Sequence, residues 1–114
     1  MRTLNQANLS AAGRAAVEEA APILRRDLPV EHVTLFGSKA RGHGDAESDI
    51  DLLVLLNGPV TYETESQIQQ ALHALETERH VVFGLLILSR EEWETGRWQV
   101  LPIHREVERN GVAA

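Results

Sequence analysis

The sequence predicts an α/β fold, a small mixed β-sheet with helices packed on it. Three observations point there. Stretches with helical spacing of apolar residues alternate with short apolar, β-branched runs in the order α-β-β-α-β-α. A length of 114 residues with 43% apolar content suits one domain, 1–114, built around one core. No internal repeat or low-complexity linker divides it.

The elements follow in order. In "SAAGRAAVEEAAPILRRDL", Val17, Ala21, Leu24 and Leu28 form one apolar helical face, with Ser10 or Asn8 available as a cap. Pro22 lies inside this pattern and is expected to kink the helix or divide it. "VEHVTLFG" reads as a strand ending at Gly37, and "SKARGHGDAES" as loop, opening with a helical turn after Ser38. "DIDLLVLLN" is a second strand, stopped by Asn57-Gly58-Pro59. From Thr61 to Arg79, Ile68, Leu72 and Leu75 mark one face of a second helix. "HVVFGLLIL", His80 to Leu88, is a third strand whose nearly continuous apolar run predicts cover on both faces. Ser89 caps a short acidic turn, and a last helix opens at Pro102 and ends at Asn110-Gly111.

Composition excludes several classes of function. A net charge of −6 disfavours general nucleic-acid binding, which needs a basic face. The absence of cysteine excludes disulfides and thiolate zinc sites. No stretch has signal-peptide or membrane-span length, so the expected compartment is the cytoplasm, with no membrane partner. Trp93 and Trp98 are expected to be core or interface anchors, because Glu91, Glu92 and Glu94 beside them would repel a nucleic acid.

The chemistry concentrates in "LFGSKARGHGDAESDIDLLVLL", Leu35 to Leu56. Asp49 and Asp51 are two residues apart on a strand, so their side chains share a face. Aspartate is a poor strand former, and adjacent carboxylates repel unless a cation lies between them or water screens them. All-oxygen ligands suit magnesium, which usually completes its shell with water and substrate phosphates. Gly37-Ser38 supplies the complement. A glycine at a strand end lets backbone approach a ligand, and a serine opening a helical turn offers a hydroxyl and free N–H groups to an anion. Lys39 and Arg41 add positive charge. A phosphate-cradling turn facing two carboxylates is what a nucleoside triphosphate with its magnesium requires.

"GSKARGHGDAESDID", Gly37 to Asp51, resembles the signature of the DNA polymerase β-like nucleotidyltransferases: Gly-Ser, ten residues, Asp-x-Asp. The "ARG" and "SDIDL" within it are similar to the minimal nucleotidyltransferases, small domains many of which pair with helical HEPN proteins as toxin–antitoxin systems. The resemblance runs from about residue 14 to 88, and the tail "LPIHREVERNGV" is similar to the ends of such domains. It implies that Gly37 and Ser38 hold the triphosphate and that Asp49 and Asp51 are the catalytic, metal-binding pair of a two-metal magnesium site. Arg41 would sit beside the phosphates or support the loop. The implied reaction transfers a nucleoside monophosphate, AMP from ATP in the favoured case and from another nucleoside triphosphate otherwise, to a hydroxyl group. Because no part of the chain is left for a second domain, the acceptor is expected on a partner protein, a HEPN-type helical toxin; self-association into a homo-oligomer is the rival.

One departure from the family pattern bears on activity. Family members usually carry a third carboxylate on the next core strand, and "HVVFGLLIL" has none. Glu76 and Glu78 precede it and would substitute only if the strand began earlier; His80 is its one polar residue and a candidate base. Val82 and Gly84 are the positions at which an acid would be restored. Two expectations therefore stand together: a magnesium-dependent nucleotidyltransferase with slow transfer, or a weakened or inactive nucleotide-binding antitoxin that neutralises its partner by contact.

Overall fold

The computed structural model describes residues 9–37 and 49–114. The first helix, α1 (Ala11–Asp27), leads into strand β1 (Val30–Phe36); strand β2 (Ile50–Leu56) is followed by α2 (Tyr62–Arg79) and strand β3 (Phe83–Ser89). A short helix α3 (Arg90–Glu94), a 3-10 turn (Gly96–Val100), α4 (Pro102–Asn110) and a two-residue strand β4 (Val112–Ala113) complete the order.

The sheet runs β3-β2-β1-β4. β1 pairs antiparallel with both β2 and β4, whereas β2 and β3 are parallel. A parallel pair needs a crossover, and α2 provides it. The mixed α/β architecture expected from the sequence is the one observed.

β2 is the central, doubly covered strand. Ile50, Leu52, Val54 and Leu56 join the core beneath α1 and α2, with Val17, Leu24, Ile68, Leu72 and Leu75. Leu53 and Leu55 face the opposite way, against Trp93, Val107 and Leu88. β3 was expected to be covered on both faces, and its cover is partial: Leu85 and Ile87 pack against the first cluster, Leu86 and Leu88 against the second. Gly84 through Ile87 are only half-buried, because β3 lies at the edge of the sheet and α2 and α3 reach it from its ends.

α1 runs unbroken through Pro22, so the expected division does not occur. Proline in a helix costs about 3 kcal/mol or more, whereas burying a valine or leucine returns about 1.5–3 kcal/mol each. Val17 and Leu24 are both fully buried and Pro22 is on the exposed side, so packing outweighs the lost hydrogen bond. Ser10 caps this helix, its Oγ accepting from Gly13 N at 3.0 Å. An ion pair between Arg79 and Glu19 ties α2 to α1.

Trp93 is buried, stacked on the His104 ring with centroids 4.4 Å apart, and tilted against Trp98 at 6.4 Å. Both indoles are thus internal anchors holding the C-terminal layer on the sheet. Among the described residues, no helix is long and apolar enough to cross a membrane.

Candidate active site

The site lies where β1 ends and β2 and β3 begin. Asp51 is the second residue of β2, and its register partners are Phe36 on β1 and Gly84 on β3. Asp49 stands one residue before β2, slightly outside the strand assigned to it from sequence, and is exposed. Alternation along β2 puts Asp51 on the face shared by Leu53 and Leu55, away from α1 and α2. The start of β2 is fixed by a hydrogen bond in which Ile50 N donates to Val82 O at 2.9 Å.

Gly37 follows β1 directly and has a φ of +77°, a conformation glycine adopts without strain. A Cβ placed on it would collide with Asp51 Oδ2. A Cβ placed on Gly84 would lie 2.6 Å from Asp51 Oδ1. The Asp51 carboxylate therefore lies across two side-chain-free positions, one just after β1 and one in β3.

This placement has an electrostatic consequence. Partial burial pushes the Asp51 pKa above its ordinary value, and the nearby Asp49 charge raises it further. Among the described residues, no cationic side chain pairs with this anionic site. Two carboxylates with no softer donor fit a hard divalent cation such as magnesium. Among the described residues, no group of three or more His, Cys, Asp or Glu side chains is arranged to hold a metal.

The candidates for the third acid fall elsewhere. β3 begins later than the sequence reading placed it, at Phe83 rather than His80. Glu76 is committed to that start: its Oε2 accepts a hydrogen bond from Phe83 N at 2.7 Å, and His73 Nδ1 lies 3.5 Å from its Oε1. His80 is not on β3 at all; it is exposed and caps the C-terminus of α2 in a left-handed conformation, φ 56°. A cavity of about 690 Å³ lies beside this region, lined by Leu72, His73, Glu76, Phe83 and Leu85, and neither aspartate lines it.

The structure thus brings Gly37, Asp49 and Asp51 together. Ser38 and Arg41, expected at the triphosphate, lie outside the described residues, as do Lys39 and the rest of the loop, 38–48. Sequence reasoning missed Phe36 as a neighbour of Asp51, since the register between β1 and β2 carries no local signal. Gly84 carried a usable signal: a glycine interrupting an apolar strand marks a close approach.

The family model of the nucleotidyltransferase domain matches residues 17–104, which span α1 to α4 and include every site residue named above. No curated protein sequence matches the chain. Among solved structures, the chain is similar to a toxin–antitoxin with AMP-PNP, at 18% identity, TM-score 0.55, over 87% of this chain and 69% of that one. It is similar to a mutant of the MntA-HpeT toxin–antitoxin, at 18% identity and TM-score 0.56, over 84% and 69% of the two chains. A third likeness is to the tri-AMPylated Shewanella oneidensis HEPN toxin in complex with the MNT antitoxin, at 17% identity and TM-score 0.53, over 88% and 69%. At such identities the likeness to these structures is one of fold.

Proposed function

The chain belongs to the nucleotidyltransferase domain family, and from that premise we propose that it transfers AMP from ATP to a hydroxyl group on a helical, HEPN-type protein partner. The observation that carries the reading is the convergence of Asp49 and Asp51 beside Gly37 within the span that defines the family. The partner and the transferred group are supported by the neighbours, which include a tri-AMPylated HEPN toxin in complex with its antitoxin and a toxin–antitoxin with AMP-PNP.

In this reaction the acceptor oxygen bonds to the α-phosphorus, the bond from that phosphorus to the bridging oxygen breaks, and pyrophosphate leaves with the electron pair. The hydroxyl proton leaves to solvent. A divalent cation held by Asp49 and Asp51 would offset phosphate charge and stabilise the charge that develops on the leaving group. The chain's own contributions are positional. Asp51, seated between Gly37 and Gly84, fixes one carboxylate; exposed Asp49 presents the other at the rim. Ser38 and Arg41 are assigned to the phosphates by their place in the motif.

A second reading is favoured by one observation: β3 presents Gly84, not an acid, opposite Asp51. The chain would then bind Mg-nucleotide and neutralise its partner chiefly by contact. Transfer of radiolabelled AMP from ATP to the co-purified partner decides between them. Label on the partner, lost with Asp49→Asn, supports transfer; silencing of the partner without label supports the contact reading.

A further inference from the structure

We propose that Gly84 is a positioning residue for the aspartate pair: the side chain it lacks makes the room in which the Asp51 carboxylate lies. This rests on the reading of Asp49 and Asp51 as a cation site.

Glycine at this position has no backbone explanation. Gly84 is in the body of β3, in parallel register with Asp51, and it is not one of the glycines with positive φ. A strand interior disfavours glycine, which loses more chain entropy on folding and packs no side chain. What the site does show is a spatial need. A Cβ on Gly84 would lie 2.6 Å from Asp51 Oδ1, and the next atoms are Asp51 Cγ at 3.8 Å and Asp49 Cβ at 4.0 Å. The obstacle is the carboxylate oxygen alone. A Cβ at Gly37, just after β1, would likewise meet Asp51 Oδ2, so the carboxylate occupies space left open at both glycines.

The missing third acid acquires a different meaning. An acid at 84 would compete with Asp51 for the same space, so Gly84→Asp should harm the site rather than complete it. The two-acid site is then set by packing between strands.

A double-mutant cycle tests this without any metal. In the native background, Gly84→Ala should lower the thermal midpoint. In an Asp51→Ala background, where the obstructing oxygen is gone, the same change should be neutral or stabilising, as expected for alanine replacing glycine without strain. Failure of Gly84→Ala to fold in the native background, with folding recovered beside Asp51→Ala, is the same result in stronger form. An equal cost in both backgrounds overturns the proposal. The second readout is titration with Mn²⁺ alone. Gly84→Ala should weaken binding about 10- to 100-fold, the usual effect of disturbing what orients a metal ligand, and Gly84→Asp should weaken it at least as much. Unchanged binding in Gly84→Ala, or tighter binding in Gly84→Asp, overturns the proposal. If the native chain binds no Mn²⁺, the cation-site reading fails on its own, and the cycle still decides what Gly84 does.

Discussion

Asp51 is held at a cost. Its carboxylate is partly removed from water and faces the charge of Asp49, so its folded-state pKa lies above the ordinary 3.8. A raised pKa means that the folded chain binds this proton more tightly than the unfolded one. The resulting stability is fully present below pH 3.8 and is lost as pH rises through the raised value. At neutral pH the ionised carboxylate is therefore a liability. Asp51→Asn should raise the thermal midpoint of the metal-free chain in EDTA at pH 7, and its advantage should shrink as pH falls toward 3.8. A midpoint lowered at pH 7 would show that the carboxylate is stabilised by a partner. With magnesium and ATP present the order should reverse, since a ligand bound only by the native site adds stability in proportion to its occupancy. Calorimetric titration gives the companion prediction: ATP binds the native chain with magnesium and not in EDTA, and Asp49→Asn with Asp51→Asn removes the magnesium-dependent part.

The elements were largely legible because their stop signals are local. Thr61 caps α2 and Ser89 caps α3 through side-chain oxygens that accept backbone N–H groups, and α4 opens at Pro102 and closes at Asn110. Ser89 also forms a reciprocal capping box with Glu92 while itself buried, joining β3 to α3. Ser89→Ala should cost about 1 kcal/mol of stability, read as a lower midpoint in urea. Nucleotide affinity should be unchanged, because Ser89 is at the far end of β3 from Gly84; a lost affinity would mean that the C-terminal layer controls the site. What sequence could not give were properties set across strands. β4 is two residues long, yet Val112 is fully buried and pairs with Leu35. No periodicity can be read from two residues. The edge position of β3 likewise depends on sheet order, and an apolar run looks the same at an edge as at the centre. The aspartate pair was legible because motif spacing fixed it, while the room made for it by Gly84 depended on register.

At the scale of the molecule, the proposed transfer needs an acceptor, and the described residues offer few exposed apolar side chains to bind one. The two tryptophans, which could have served as interface anchors, are spent on the C-terminal layer: Trp93 is buried, and Trp98 packs against the same cluster. Exposed large apolar residues remain at Tyr62, Val82, Val100 and Leu101, and Val82 adjoins the site through its bond to Ile50. Co-expression with a HEPN-type partner should therefore yield a complex larger than either chain, measured by sizing with light scattering. A monomer indifferent to that partner would remove the toxin–antitoxin reading and leave the family. Within the complex, binding and chemistry should separate. Asp49→Asn should keep the assembly and abolish AMP transfer, because in the proposed reaction this aspartate serves the nucleotide rather than the interface. The native complex should itself be slow. A missing positioned base or ligand typically costs about 10²- to 10⁴-fold in rate, and β3 offers no acid within reach of Asp51. Single-turnover labelling of the partner measures this directly. Rapid labelling by the native complex, abolished by Asp49→Asn, would mean that the missing group comes from outside β3, from the partner or from another acid of this chain.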